Sequence, residues 1–195
     1  MLNMIKGCRI YDPSVLHEGY EKTETGFVAN VNAEKIQSLV ERFIMLHDER
    51  CFAILEVPTN AKEEPAPGRC PFHKDVYYLD GLSPTKAVEF LQTFGQWLVH
   101  DGLSSFGIGI HSGGNEILVE KYNIVTVYTK TPEKYGGFFE ACGIPQTPEL
   151  KTAWDYFTQD TPGDSFLYEH EGIDIYELIE HLKQYGLYFA ERREA

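Results

Sequence analysis

The sequence predicts a single α+β domain with a mixed, mostly antiparallel sheet and about four helices packed on it. Apolar stretches with strand character alternate with stretches of helical period along the chain. Several strands also follow one another closely in the middle of the sequence, where turn residues join them. A length of 195 residues with 43% hydrophobic content suits one core, so residues 1–195 are expected to form one domain.

The first third of the chain is predicted to contain a strand, a helix, a second strand and a loop. Residues 27–32 have strand character, and apolar residues at helical spacing predict a helix over 33–48. Residues 51–59 form a nearly continuous apolar run, typical of an interior strand, in which the charge of Glu56 needs a partner. Residues 60–75 combine several prolines with many charges, which predicts a long exposed loop.

The remainder of the chain is predicted to hold a central meander between capped helices. The three meander strands are expected at 106–111, 116–122 and 124–130. Helices that begin at a Ser-Pro, Thr-Pro or Asp signal and end near glycine are expected at 83–101, 131–143 and 174–184. Short strands are expected at 76–79 and 187–190. Residues 144–172 show no regular period and are acidic and aromatic.

The charge balance bears on the class of partner. A net charge of −13 disfavours nucleic-acid phosphates and anionic membrane surfaces, and it favours a basic protein partner. The N-terminus lacks the features of a secretory signal, and no apolar run is long enough to cross a bilayer. Four scattered cysteines indicate reduced thiols and a cytoplasmic location. No dinucleotide, phosphate-loop or metalloprotease motif is present, so no cofactor is expected.

One strand face could carry chemistry. Gly107, Gly109 and His111 alternate along a predicted strand, and strand glycines often mark the close approach of a ligand or of another backbone. A small enzyme or ligand-binding domain would use this face with His111 and Glu116. The alternative is a helix packed tightly over the glycines. Ser112 does not complete a serine-hydrolase elbow, because Ile110 stands where that motif requires glycine.

A zinc site is a second candidate for chemistry. His47, Cys51, Cys70 and His73 are residues of the types that zinc prefers. Their spacing matches no known zinc motif, and a cysteine that opens an apolar strand is commonly a small buried hydrophobe. No metal is therefore assigned to the chain.

The segment 149–171 has the composition of a recognition surface. It contains six acidic residues and a single Lys or Arg, Lys151, together with large aromatic residues. Trp and Tyr are typical anchors of protein interfaces, and carboxylates steer a basic partner towards them. The alternative is that Trp154 and Phe157, three residues apart, anchor a short helical turn to the core. The predicted partner-binding residues are Trp154, Asp155, Tyr156, Asp160, Asp164, Glu169 and Glu171.

These observations favour a non-enzymatic, acidic binding protein that engages a basic protein partner. In composition and size the chain is similar to bacterial immunity proteins, which are small, acidic and cytosolic and block a toxin by covering its basic active cleft. This resemblance implies an immunity-like or inhibitor-like role by steric occlusion. The alternative is a small enzyme or a metal- or ligand-binding domain that uses the glycine face or the His and Cys residues named above.

Overall fold

The computed structural model describes residues 1–60, 63 and 73–194, and it confirms the α+β class. The described residues form three α-helices: α1 (Ala33–Met45), α2 (Pro84–His100) and α3 (Ile175–Lys183). They also form ten strands: β1 (Cys8–Arg9), β2 (Gly19–Thr23), β3 (Gly26–Asn30), β4 (Cys51–Pro58), β5 (His73–Leu82), β6 (Ser105–Ile110), β7 (Asn115–Glu120), β8 (Ile124–Tyr128), β9 (Asp164–Ser165) and β10 (Tyr188–Glu194). In the described ranges no α-helix combines the length and apolar content needed to cross a membrane.

Eight strands form one sheet in the order β10-β5-β4-β6-β7-β8-β3-β2, and β1 pairs with β9 in a small second sheet. The predicted meander is confirmed, because β6, β7 and β8 are neighbours joined by short turns. Every named strand pair is antiparallel, so the large sheet is antiparallel rather than mixed. An antiparallel sheet needs helices on only one face.

The core lies between one face of the large sheet and the helices. On β4 the alternate residues Cys51, Ala53, Leu55 and Val57 join the same buried cluster as the apolar stripes of α1, α2 and α3. The residues between them point to the opposite face, and Phe52 and Glu56 are half-buried there. Glu56 has the partners that its position requires: Nη1 of Arg193 at 3.2 Å and Nζ of Lys74 at 3.8 Å.

The segment predicted as a helix over 131–143 forms two 3-10 helices instead, Pro132–Tyr135 and Glu140–Cys142. Gly136 and Gly137 interrupt it, and Gly137 adopts a positive φ of 73°, which no α-helix contains. Tyr135, Phe138 and Phe139 are nevertheless buried in the core. Their spacing therefore predicted correctly that these residues are buried, but it predicted an α-helix where two 3-10 helices form.

The edges of the predicted loop and of the last strand also differ from expectation. The strand β5 begins at His73, so the last three residues of the predicted 60–75 loop belong to the sheet. Most of the rest of that loop lies outside the described residues. The closing strand is longer than predicted and pairs with β5 along its length, with a bulge between Phe189 and Glu191.

Candidate functional site

The indole of Trp154 is exposed and held in place. The 3-10 helix Ala153–Asp155 begins with a capping box. The backbone N–H of Thr152 donates to Oδ2 of Asp155 at 2.8 Å, and the Thr152 hydroxyl donates to the same oxygen at 3.1 Å. The backbone N–H bond, followed by the hydroxyl bond, lowers the pKa of Asp155 below its usual range. Trp154, in the middle of this turn, remains 59% exposed.

The indole of Trp154 packs against two other aromatic rings. Its ring centroid lies 5.2 Å from that of Tyr122 and 5.3 Å from that of Phe157, both in edge-to-face geometry. Phe157 packs against the core and also contacts Tyr122, at 4.9 Å. The two residues thus divide the roles that the sequence left open: Phe157 anchors the turn, and Trp154 faces solvent.

Tyr122 is positioned by an unusual turn between β7 and β8. Tyr122 and Asn123 both adopt left-handed backbone conformations, with φ of 60° and 66°. The buried side chain of Asn123 stabilises this turn: its Oδ1 accepts the backbone N–H of Ile5 at 2.9 Å, and its Nδ2 donates to the carbonyls of Asn3 and Val31 at 2.8 Å. The support under Trp154 is therefore fixed by the N-terminal segment.

Tyr156 lies between two small cavities and is 40% exposed. The first, which we call the N-terminal cavity, has a volume of about 190 Å³ and is lined by Ile10, Tyr11, Asp12, Val15, Ala153, Tyr156, Phe157 and Thr161. The second has a volume of about 160 Å³ and a more polar lining that includes His17, Glu18, Glu149 and Lys151. A side chain that approaches Tyr156 from outside thus meets an aromatic recess on one side and a charged recess on the other.

Residues 10–15 contribute to the N-terminal cavity, although none of them is among the predicted binding residues. Asp12 precedes a 3-10 helix, Pro13–Val15, and its Oδ1 accepts the backbone N–H of Ser14 at 2.9 Å and the Ser14 hydroxyl at 2.6 Å. These bonds lower the pKa of Asp12 below its usual range. Tyr11 beside it is 83% exposed. The signal for this turn was local, since Asp followed by Pro is a typical N-cap and first helical residue.

The predicted acidic residues between 155 and 164 are exposed in the structure. Asp160 lies in the loop after Phe157, and Asp164 stands opposite Arg9 in the small sheet. The guanidinium of Arg9 lies over the ring of Phe166, 5.1 Å from its centroid. Lys151 is paired with Glu149, its Nζ 2.5 Å from Oε1. Both of these cations therefore already have partners of their own.

Glu169 and Glu171 lie on a different part of the fold. They flank His170, whose ring packs edge-on against Trp97 of α2 at a centroid distance of 4.9 Å. The preceding Tyr168 donates its backbone N–H to Oδ1 of Asp101 at 2.9 Å, just after the end of α2. Both glutamates are exposed, but their surroundings are the end of α2 rather than the cavity beside Tyr156.

Within the described residues, the atoms closest to the glycines of β6 belong to neighbouring strands and not to a helix. A Cβ at Gly109 would collide with the ring of Phe52 on the adjacent strand, and one at Gly107 would lie 2.6 Å from the carbonyl oxygen of Ile117. The expectation of a helix over this face is wrong, because the buried helix stripes pack on the opposite face. The glycines leave room for cross-strand packing.

His111 lies at the end of this glycine face with a carboxylate close by. Its Nε2 is 3.5 Å from Oδ1 of Asp80, and its half-exposed ring lies 5.0 Å from that of Phe52. The hydroxyl of Tyr188 donates to Oδ2 of the same aspartate at 2.6 Å. Glu116 is opposite Gly109 on the neighbouring strand, and burial raises the pKa of its carboxyl.

The four-residue zinc interpretation is wrong. His47 is buried among aromatic rings, with Nδ1 2.9 Å from the carbonyl oxygen of Phe43. Cys51 pairs with Leu82 at one end of the β4–β5 ladder, while His73 follows the pair Pro58–Lys74 at the other, roughly 23 Å away along the strand. Cys70 lies outside the described residues. Among those described, no group of three or more His, Cys, Asp or Glu could hold a metal ion.

The residues that the structure brings together are here called the Trp154 surface: Tyr11, Asp12, Trp154, Asp155, Tyr156 and Asp160. This surface joins an exposed indole that packs on two rings, an aromatic recess and carboxylates, and local hydrogen bonds lower the pKa values of two of these carboxylates. It is built from the N-terminal segment and the irregular segment after β8. No protein-family model, curated protein or solved structure matches this chain.

Proposed function

We propose that the protein is a non-enzymatic binding protein that covers a basic protein partner with the Trp154 surface. The observation that carries this proposal is the exposed indole of Trp154, clamped edge-on by Tyr122 and Phe157. Interface hot spots are enriched in such large aromatic side chains. Because the clamp already restricts the indole, its burial against a partner loses little rotamer freedom.

The charge of the chain supports a basic partner. Thirty acidic residues stand against 17 Lys and Arg, and Asp12 and Asp155 remain ionised well below neutral pH. Such a field accelerates encounter with a cationic protein and repels nucleic acid. The mechanism is steric: the aromatic residues occupy the partner's surface while the carboxylates pair with its Lys and Arg side chains. A partner with a basic active cleft would be inhibited, as in the immunity proteins that the composition resembles.

A cytoplasmic location is part of the same proposal. Cys8, Cys51 and Cys142 are free thiols, which is usual in a reducing compartment. Burial raises the pKa of Cys8 and of Cys51 to about 11, so both stay protonated and unreactive. Cys8 and Cys51 therefore serve as small side chains of the hydrophobic core.

The experiment is affinity capture from the native cell, followed by calorimetry with the purified captured protein. We expect a basic protein whose affinity falls by about 30-fold in Trp154→Ala, equivalent to ~2 kcal/mol for a hot-spot residue. The matched control is Tyr185→Ala, which removes an aromatic side chain of similar exposure, 62%, two residues after the end of α3. The affinity of the control should stay within twofold of wild type.

The salt dependence gives an independent arm. The association rate should fall several-fold between about 50 and 500 mM salt, because exposed charges are screened over this range. A Trp154→Ala protein that binds as tightly as wild type would overturn the proposal. So would an association rate that is indifferent to ionic strength.

A further inference from the structure

We propose that the N-terminal cavity is a socket for one arginine side chain of the basic partner. This inference rests on the proposed function and names the group that the partner inserts. A volume of about 190 Å³ is smaller than the 300–1,000 Å³ of typical small-molecule sites. The cavity therefore suits a single side chain from a protein better than a free metabolite.

The lining has the chemistry that a guanidinium requires. Three of the lining residues, Tyr11, Tyr156 and Phe157, are aromatic, and Asp12 is the acidic residue of the lining. A guanidinium stacks on aromatic faces and pairs with carboxylates in one planar geometry. The apolar side chains of Ile10 and Val15 provide a wall for the methylene stem.

The carboxylate of Asp12 is set in place before any partner arrives. Both hydrogen bonds from Ser14 fall on Oδ1, which fixes the rotamer and leaves Oδ2 for an incoming N–H. An apolar occupant would strip water from this charge without replacing it, which is costly. A phosphate or carboxylate occupant would be repelled. Arginine satisfies the carboxylate and the rings together, whereas the strongly hydrated ammonium of lysine stacks less well on them.

The same protein already stacks one of its own arginines on an aromatic ring. The guanidinium of Arg9, two residues before Tyr11, lies 5.1 Å from the centroid of the Phe166 ring. The backbone of Arg9 pairs with that of Asp164 in the small sheet. An aromatic ring close to the N-terminal cavity thus accommodates a guanidinium, which is the contact that we propose for the cavity itself.

The direct test uses the full chain and two single-residue probes, Nα-acetyl-arginine amide and Nα-acetyl-lysine amide, in an NMR titration. We expect the arginine derivative to shift the amide signals of Tyr11, Asp12 and Tyr156 and to bind at least fivefold more tightly than the lysine derivative. Asp12→Asn keeps an Oδ1 acceptor for Ser14 and should weaken arginine binding about fivefold. The matched control, Asp48→Asn, removes an equal charge from an exposed position after α1, outside the cavity lining, and should bind within twofold of wild type.

The proposal is overturned if both probes bind equally, if the shifted signals lie elsewhere, or if the two Asn variants weaken binding alike. Tyr156→Leu provides a second variant that removes the ring, and it should also abolish the preference for arginine. Failure of the proposed function would look different: Trp154→Ala would leave partner affinity unchanged while the arginine derivative still bound in the cavity. Failure of the socket alone would leave the partner bound through Trp154, with Asp12→Asn without effect on its affinity.

Discussion

Arg192 grips the buried carboxylate of Asp75 with two hydrogen bonds, from Nε to Oδ1 at 2.6 Å and from Nη2 to Oδ2 at 2.9 Å. The hydroxyl of Thr59 donates to Oδ1 of the same carboxylate at 2.7 Å. Because the Asp75 side chain is almost fully buried, its charge depends on these partners. The ion pair between Arg192 and Asp75 also joins the edge strand β10 to β5.

Removing the guanidinium should destabilise the fold strongly. Arg192→Ala leaves a buried carboxylate without its cation, and we expect the free energy of unfolding to fall by about 3 kcal/mol. The control is Arg193→Ala, whose guanidinium is half-exposed and pairs with Glu191 and Glu56. We expect that loss to be at most about 1 kcal/mol. Urea denaturation measures both, and equal losses would contradict the role given to Asp75.

The two glycines of β6 should differ in their tolerance of alanine. Gly107→Ala sets a methyl group against a backbone carbonyl, which cannot move aside, whereas Gly109→Ala meets the end of the Phe52 ring. We expect a loss of about 3 kcal/mol for the first and about 1 kcal/mol for the second. Phe52→Leu should lessen the cost of Gly109→Ala in a double-mutant cycle. Additive effects would show that the ring does not limit the size of the residue at position 109.

The stability of the fold should decrease in acid through His100. Burial, together with the nearby charge of Lys6, lowers the pKa of His100 to about 4, below the value of 6.5 for an unperturbed histidine. Between these two values the unfolded chain binds a proton that the folded chain does not, so the free energy of unfolding falls as pH drops from about 6.5 to about 4. Urea denaturation across this range should show a shallower slope for His100→Gln, and an unchanged slope would exclude His100 as the source.

The turn under Trp154 should depend on Asn123. Its buried amide makes three hydrogen bonds, two to the N-terminal segment and one to Val31 just after β3, and its backbone is left-handed. Asn123→Ala leaves these groups unpaired and places alanine at an unfavourable φ, so we expect a loss of about 3 kcal/mol. Asn123→Gly relieves only the backbone strain and should recover about 1 kcal/mol of that loss. Thermal denaturation distinguishes them, and identical midpoints would mean that strain contributes nothing there.

The elements that could be predicted from the sequence are those whose signals are local. The helix α1 follows from apolar spacing, and α2 follows from its spacing together with the Ser83 cap. The meander follows from turn residues between strands. The helix predicted over 131–143 was wrong, because buried aromatic residues at helical spacing also fit two 3-10 helices separated by glycines. Spacing indicates which residues face the core, and only the glycine pair could have indicated the break.

The candidate site was predicted in part for a similar reason. Trp154 and Tyr156 stand out in composition, and the turn that carries them is short-range. The opposing wall, with Tyr11 and Asp12, could not be predicted because its contact with residues 153–161 joins segments far apart in the sequence. Asp164 was predicted as a partner-binding residue, but its position opposite Arg9 in the small sheet could not be predicted, because it also depends on a long-range pairing.

The small sheet connects the two segments that line the N-terminal cavity. β1 and β9 hold the two walls of the N-terminal cavity together through only two residue pairs, supported by the bond from the backbone N–H of Phe166 to the carbonyl of Gly7 at 2.9 Å. A side chain seated between those walls would act as a non-covalent cross-link between residues 10–15 and residues 153–161. Partner binding should therefore raise the unfolding temperature of the whole domain and slow amide exchange in both segments at once.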